Sequence, residues 1–262
     1  MEEVLHQYEQ PYDPAWPLIC FDERPCFLIE EKGTILPMSP GKARRHHYEY
    51  KKNGACCVLV AFEPHTGLRY VEVRDQRTAL DYAEFMHTLL EVYYPTADGI
   101  RLVQDNLNTH KPGSFYQVLP ADQAFAMAQR FDMHYTPVNG SWLNMAEIEL
   151  AALVKQCLDR RIPDVSTMRT EVLAWADRRN LKGRTVNWTF AATDARIKMQ
   201  RHYKNINDPV NLDRFGCEYF LTVSKENTHE TQSKQTPQCR ANHPHFAAIR
   251  WGPNGGRDLS RA

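Results

Sequence analysis

The stretch Leu18-Ile19-Cys20-Phe21-Asp22 is an apolar run that ends in a carboxylate. A second run, Ile100-Arg101-Leu102-Val103-Gln104, is followed by Asp105. Short apolar runs of this kind are typical of strands buried in a sheet. A carboxylate that follows such a strand is expected to leave the core and face solvent, because an unpaired buried charge is costly. The sequence therefore predicts that Asp22 and Asp105 lie at the edge of a sheet.

A third acid, Glu147, stands near the start of a predicted helix, Met145 to Cys157, directly after the polar turn 139–144. Three carboxylates that meet at one place form a set of hard oxygen ligands suited to Mg²⁺ or Mn²⁺. A pair of such ions commonly serves to cut or join phosphodiesters. Glu149 competes with Glu147 for this role, but residues two apart on a helix point about 200° apart, so both cannot face one metal.

The remaining elements complete a mixed α/β order. Further strands are predicted at 55–62, 68–73 and 133–136, and further helices at 79–93, 121–131 and 165–178, with Thr78 and Asp81 capping the first of these. The first three strands can pair as an antiparallel meander, and the last two need crossover helices, which makes them parallel. The sequence predicts a ribonuclease-H-like fold, a mixed five-stranded sheet flanked by helices, in which Asp22 and Asp105 lie on neighbouring strands.

Composition is compatible with one sizeable domain and excludes some functions. Hydrophobic residues make up 42% of the 262 residues, and 32 basic residues balance 32 acidic ones, so any nucleic-acid binding has to come from local clusters. No apolar run reaches the roughly 18 residues of a membrane span, and no signal peptide is visible. The 7 cysteines, an odd number, include the adjacent Cys56 and Cys57 in an apolar run, which favours buried reduced thiols and a cytoplasmic location.

Three separated motifs resemble the catalytic core of DDE transposases, in the bacterial insertion-sequence branch of the mariner superfamily. They are Cys20-Phe21-Asp22-Glu23, then the run from Gln104 to His110, then Ser141-Trp142-Leu143-Asn144-Met145-Ala146-Glu147. The resemblance extends from about Pro17 to about Tyr203. In this family an Asn precedes the catalytic acid by three positions, so Asn144 selects Glu147 over Glu149, and substitution of Glu149 is expected to have a far milder effect.

The resemblance implies an enzyme that cleaves DNA strands at the ends of an insertion sequence and transfers them to a target. It implies that Asp22, Asp105 and Glu147 are both the catalytic residues and the ligands of two Mg²⁺ ions, for which Mn²⁺ substitutes. The implied partners are transposon-end and target DNA, bound by a homodimer, in the bacterial cytoplasm at the nucleoid.

The chain departs from the family in two places. Family members usually carry helix-turn-helix domains before the core, whereas about 17 residues precede the first strand here. We therefore expect an N-terminal extension at 1–16, a catalytic domain at 17–206 and a separate helix-turn-helix chain that reads the DNA. Residues 207–262 are polar, rich in Gly and without periodicity, which predicts disorder.

Candidate DNA contacts come from three places. The run 42–52 contains the cations Lys42, Arg44, Arg45, Lys51 and Lys52, which either follow phosphates or form a solvated surface. His110 either touches a phosphate or the attacking water, or bonds the backbone of its own loop. Trp142 either stacks on an unpaired base or is buried under the turn that carries it.

Two other functions share these features. A ribonuclease-H-like nuclease would use the same fold and metals without strand transfer. A truncated transposase remnant would bind DNA or oligomerise without catalysis.

Overall fold

The computed structural model describes residues 1–33, 39–41 and 48–200. Among these, 1–190 form one compact unit and 191–200 belong to a second. The described part of the second unit contains one helix, Ala192–Lys198, whose first turn is closed by a hydrogen bond from the Ala191 N–H to the Asp194 carboxylate (3.0 Å). The predicted tail at 207–262 lies outside the described residues.

The first unit is built on one five-stranded sheet. Its strands are β1 (Leu18–Glu31), β2 (Tyr50–Glu63), β3 (Leu68–Arg74), β4 (Ile100–Gln104) and β5 (Phe131–Tyr135). Their spatial order is β3-β2-β1-β4-β5. β1 pairs antiparallel with β2, and β2 with β3, whereas β4 pairs parallel with both β1 and β5. The predicted ribonuclease-H-like topology is confirmed.

Five helices flank this sheet: α1 (Glu2–Glu9), α2 (Ala79–Thr88), α3 (Ala121–Gln129), α4 (Ala146–Leu153) and α5 (Val165–Asn180); the helix of the second unit is α6. α2 begins with the predicted capping box, in which Thr78 and Asp81 bond each other's backbone N–H groups. α2 and α4 each continue into one π-helical turn, Leu89–Tyr93 and Val154–Leu158. Short 3-10 helices occupy Pro112–Gln117 and Ser141–Leu143.

Two hydrophobic cores cover the two faces of the sheet. Alternate residues of β2 point to opposite faces, because successive side chains of a strand do so. Leu59 packs with α2 and α3 in one core, and Val60 packs with α4 and α5 in the other. Cys56 and Cys57 are both buried, one in each core. The five described cysteines are free thiols, as predicted for them.

β1 and β2 extend well beyond the predicted strands. The first strand was predicted to end at Asp22 and the second to begin at residue 55, whereas the pairing of β1 with β2 continues to Glu31 and Tyr50. The added part of β2, residues 50–54, is polar and gives no strand signal, whereas the added part of β1 contains the apolar run Cys26-Phe27-Leu28-Ile29. Pro25 stands before this run and interrupts the strand pattern, because proline cannot donate a hydrogen bond to a neighbouring strand. Tertiary contacts support it: the Ile29 N–H donates to the Ile162 carbonyl (2.7 Å). Asp22 therefore lies within a long strand and not at its end.

The first residues fold onto the same unit. In α1, Val4, Leu5 and Tyr8 are buried, and the Tyr8 hydroxyl donates to the Leu143 carbonyl (2.6 Å). Glu3 lies 2.8 Å from Nδ1 of His134 on β5. The predicted extension at 1–16 thus contains a helix that packs beside the turn leading to Glu147.

None of the helices in the described ranges is both long enough and apolar enough to cross a membrane.

Candidate active site

The parallel pairing of β1 with β4 places Asp22 and Asp105 at equivalent positions. The last matched pair of the two strands is Cys20 with Val103. Each aspartate follows its member of this pair by two residues, so the two carboxylates leave neighbouring strands at the same level. Both residues are partly exposed, whereas Cys20 and Val103 are buried. The sheet thus brings together two acids that are separated by 82 intervening residues in the sequence.

Asn144 ties the start of α4 to this place. Its side-chain N–H group donates to the Phe21 carbonyl (2.8 Å) and lies 3.4 Å from the Asp22 carboxylate. Its side-chain oxygen accepts from the Ala146 N–H (3.1 Å), and its carbonyl accepts from the Glu147 N–H (3.1 Å). One buried side chain therefore holds β1 and the first turn of α4 together, which brings exposed Glu147 close to Asp22.

The carboxyl group of Asp22 has an unusual pKa. Burial raises it, and a hydrogen bond from the Glu23 N–H (2.8 Å) opposes this rise. The negative charges of Glu147, Asp105 and Glu23 raise it further, to about 7. A nearby cation would favour the ionised form and remove this penalty.

The donor set fits divalent cations. Asp22, Asp105 and Glu147 offer only carboxylate oxygens, the ligand type that Mg²⁺ and Mn²⁺ prefer. In the described part of the chain, no three His, Cys, Asp or Glu side chains are close enough to hold a metal ion as they stand. The fit therefore rests on the donor chemistry and on the repulsion that raises the pKa of Asp22.

Glu149 has a different role from Glu147. Its side chain is 1% exposed and lies between Arg69 and Arg179. The two Arg179 nitrogens lie 2.7 and 2.9 Å from its oxygens, and Nη2 of Arg69 lies 3.1 Å away. Both oxygens are occupied, so Glu149 cannot serve the metal site. The mild effect expected for Glu149 concerns cleavage and stays a prediction, whereas its substitution should reduce stability because two guanidinium groups would lose their buried partner.

His110 is buried with its ring beside two carboxylates. Its side chain is 1% exposed, with Nδ1 2.5 Å from Oδ1 of Asp105 and Nε2 3.4 Å from Oε2 of Glu23. Burial lowers the pKa of His110, but hydrogen bonds to Asp105 and Glu23 outweigh this and raise it to about 9. The ring bonds carboxylates and not the backbone of its own loop, and its burial leaves little surface for the predicted contact with a phosphate or water. Sequence reasoning missed this network because its members are distant along the chain.

Glu23 lies on the face opposite Asp22, as strand alternation predicts, and is structural. Its side chain is 4% exposed and pairs with Arg77, whose Nη1 lies 3.1 Å from Oε1. Neither Arg77 nor this pairing was predicted.

Trp142 is 44% exposed and touches Phe190 edge-on, with ring centroids 5.7 Å apart. The alternative in which it is buried is wrong. The exposed ring lies two residues before Asn144 and is accessible for stacking.

The two predicted cations that the structure describes, Lys51 and Lys52, are separated from the carboxylates. Lys42, Arg44 and Arg45 lie outside the described residues. Lys51 pairs with Glu30 at 3.2 Å, and Lys52 lies 5.9 Å from the ring centroid of Phe27. Glu30 is eight residues beyond Asp22 on β1, so this pair lies about 25 Å along the strand from the acids.

Among solved structures, the chain is similar to the Mos1 mariner paired-end complex with Mn, at 14% identity and a TM-score of 0.46, covering 70% of this chain and 56% of that one. It is also similar to the Mos1 transposase paired-end complex with the left transposon end, at 15% identity and a TM-score of 0.47, covering 70% and 55%. The chain thus spans little more than half the length of these proteins. No curated protein matches it.

A family model described as DDE superfamily endonuclease matches residues 17–169, more than half of the chain. The match contains Asp22, Asp105, Asn144 and Glu147. The chain belongs to the DDE superfamily endonuclease family.

Proposed function

We propose that this chain is the catalytic domain of an insertion-sequence transposase, which cleaves DNA strands and transfers their 3′ ends to a target. The observation that carries the proposal is the equivalent position of Asp22 and Asp105 on neighbouring parallel strands, with Glu147 held beside them through Asn144. The family match supports a metal-dependent endonuclease of this type.

In this proposal Asp22, Asp105 and Glu147 hold two Mg²⁺ ions, for which Mn²⁺ substitutes. Such ions activate the attacking hydroxyl and stabilise the leaving oxygen of an in-line displacement. Asn144 keeps the Asp22 and Glu147 carboxylates at a fixed separation through its bonds to both elements. Exposed Glu147 completes the site on the solvent side, from which the scissile phosphate enters.

The DNA extends from the acids along the β1–β2 hairpin. Lys51 and Lys52 are exposed and lie about 25 Å from Asp22 along β1, which is roughly seven base pairs of a duplex at 3.4 Å each. With Lys42, Arg44 and Arg45 they would contact the phosphate backbone, which gives affinity without sequence preference. Trp142 would stack on an unpaired base beside the reacting strand.

The proposed assembly is a homodimer on transposon-end DNA, in the bacterial cytoplasm at the nucleoid. Phosphate contacts carry no sequence information. We therefore propose that a separate helix-turn-helix chain reads the terminal repeat.

A joining assay tests the activity. The protein is incubated with Mn²⁺, supercoiled plasmid and a labelled oligonucleotide with a free 3′-hydroxyl, and label joined to the plasmid is measured. We expect joining by the wild type and none by Asp22→Asn, Asp105→Asn or Glu147→Gln. Glu30→Gln, which neutralises an exposed acid of the same strand, is the control and should retain full activity.

Each alternative predicts a different result. Nicking without joining would identify a nuclease of ribonuclease-H-like type. DNA binding with neither nicking nor joining would identify an inactive remnant.

A further inference from the structure

We propose that His110 is a positioning residue for Asp105: it holds one carboxylate oxygen inside the protein and leaves the other directed at the bound cation. Glu23 and Arg77 hold His110 in turn. This inference rests on the proposed function, because it concerns the same metal site.

The contact divides the Asp105 carboxylate into an inner and an outer part. Nδ1 of His110 lies 2.5 Å from Oδ1, which is within hydrogen-bonding distance. The Asp105 side chain is 38% exposed, whereas that of His110 is 1% exposed. The His110 ring contacts one of the two carboxylate oxygens, and the Asp105 side chain still keeps more than a third of its surface exposed, which leaves room for a cation at the other oxygen.

The His110 ring is enclosed by two aromatic rings. Tyr82 stacks on it with a centroid separation of 4.8 Å, and Phe21 meets it edge-on at 5.2 Å. Tyr82 is itself fixed by a hydrogen bond from its hydroxyl to Gln104 (2.9 Å). Gln104 also donates to the His110 carbonyl (3.1 Å). The ring and its backbone are thus held by one connected set of contacts.

The second ring nitrogen faces a second carboxylate. Nε2 of His110 lies 3.4 Å from Glu23, and Arg77 lies 3.1 Å from the other oxygen of Glu23. Positive and negative groups alternate from Arg77 through Glu23 and His110 to Asp105. A ring that carries hydrogen on both nitrogens fits this arrangement, because each nitrogen then directs an N–H at an acid. Glu23 therefore fixes the orientation in which Nδ1 points at Asp105.

Groups that orient a metal ligand commonly change metal affinity 10- to 100-fold when removed. The test is Mn²⁺ affinity, measured on the full chain without DNA by electron paramagnetic resonance titration. We expect His110→Phe, which keeps the ring and loses both donors, to weaken Mn²⁺ binding roughly 10- to 100-fold.

A pair of amide variants separates positioning from packing. The side-chain N–H of Asn can replace the Nδ1 donor, whereas that of Gln corresponds to Nε2. We expect His110→Asn to bind Mn²⁺ more tightly than His110→Gln, with DNA affinity in EDTA equal for both. If His110→Phe fails to fold, this pair still decides the matter, since equal Mn²⁺ affinities of the two amide variants would overturn the inference.

Two further variants complete the design. Glu23→Gln should weaken Mn²⁺ binding less than His110→Phe, and Glu30→Gln should leave it unchanged. Asp105→Asn should lose Mn²⁺ binding. If His110→Phe binds Mn²⁺ as tightly as the wild type does and Asp105→Asn does not bind it, only the positioning role of His110 is overturned. Wild-type affinity in Asp105→Asn would overturn the proposed metal site itself.

Discussion

Asp22 and Asp105 each lie two residues beyond a matched pair, Cys20 with Val103, of two parallel strands. Their separation is set by the hydrogen bonds of the sheet and not by flexible loops, so two like charges are held near each other in the folded protein. This arrangement costs stability unless a proton or a cation compensates.

The first prediction concerns Asp22 and pH. Its pKa is about 7 in the folded state against an ordinary value of 3.8, chiefly through burial. Between pH 3.8 and pH 7 the folded protein therefore binds more protons than the unfolded chain does. The free energy of unfolding is highest below pH 3.8 and decreases as the pH rises through 7, because the Asp22 carboxyl group then loses its proton in the folded protein. Asp22→Asn should avoid this loss, so its free energy of unfolding at pH 8 should exceed that of the wild type by on the order of 3 kcal/mol.

Urea denaturation in EDTA at pH 5 and pH 8 measures this difference. The difference in free energy of unfolding between Asp22→Asn and the wild type should be larger at pH 8 than at pH 5. Addition of Mn²⁺ at pH 8 should reduce this difference, because the cation stabilises the wild type. An advantage that does not change with pH would contradict the assigned pKa.

Substitution of Glu149 should reduce stability, whereas substitution of Glu147 should abolish catalysis and leave stability nearly unchanged. Glu149→Ala leaves Arg69 and Arg179 without their buried partner and should cost about 3–5 kcal/mol. Burial raises the pKa of Glu149, but its bonds to the two arginines outweigh this and lower it. The stability that the ionised Glu149 contributes is therefore present above its ordinary pKa of 4.5 and is lost as the pH falls below that value.

Glu147→Ala is the matched control, two residues away on the same helix. It should change stability by less than about 0.5 kcal/mol because the side chain is exposed, while DNA joining is lost. Equal urea midpoints for the two variants would show that the buried ion pairs do not stabilise the fold.

Gly67 should be intolerant of a side chain. Its φ is +73°, a conformation that L-residues rarely adopt, and an added Cβ would lie 2.5 Å from the Arg184 carbonyl oxygen. That oxygen also accepts a hydrogen bond from Arg69 (3.0 Å). Gly67→Ala should therefore cost more than about 1–2 kcal/mol, the strain of the left-handed conformation alone.

Gly113→Ala provides the comparison, because nothing lies within 4 Å of its added Cβ. Thermal unfolding should show a clear loss for Gly67→Ala and a change of less than about 0.5 kcal/mol for Gly113→Ala. Similar melting temperatures would mean that the backbone near Arg184 moves freely.

The last prediction concerns DNA binding by the chain alone. Five cations in the run 42–52 would give a slope of about −4 to −5 in log K against log salt. Because Lys51 is paired with Glu30, Lys51→Gln should reduce the magnitude of this slope less than Lys52→Gln does. A competition gel-shift should show less than about 100-fold preference for terminal-repeat over scrambled DNA. A larger preference would place sequence recognition within this chain.

Local signals predicted much of the fold. β4 has the predicted bounds, and α2 starts at the predicted cap, because an apolar run and a Thr-x-x-Asp pattern act within a few residues. The second half of β1 was missed because Pro25 interrupts its strand pattern and because contacts with Ile162 and Arg161 support it from a distant part of the chain. The role of His110 was missed for a similar reason, since Glu23 approaches it only in the folded sheet.

The register of β1 with β4 also determines where this chain can change length. One residue inserted ahead of Cys20 or Val103, within the paired segment, would turn Asp22 or Asp105 to the opposite face of the sheet. Exposed loops outside this ladder carry no such constraint, and each doubling of the length of a loop costs only about 0.6 kcal/mol. Insertions that preserve activity are therefore expected in such loops, while a single added residue in the first half of β1 should abolish it.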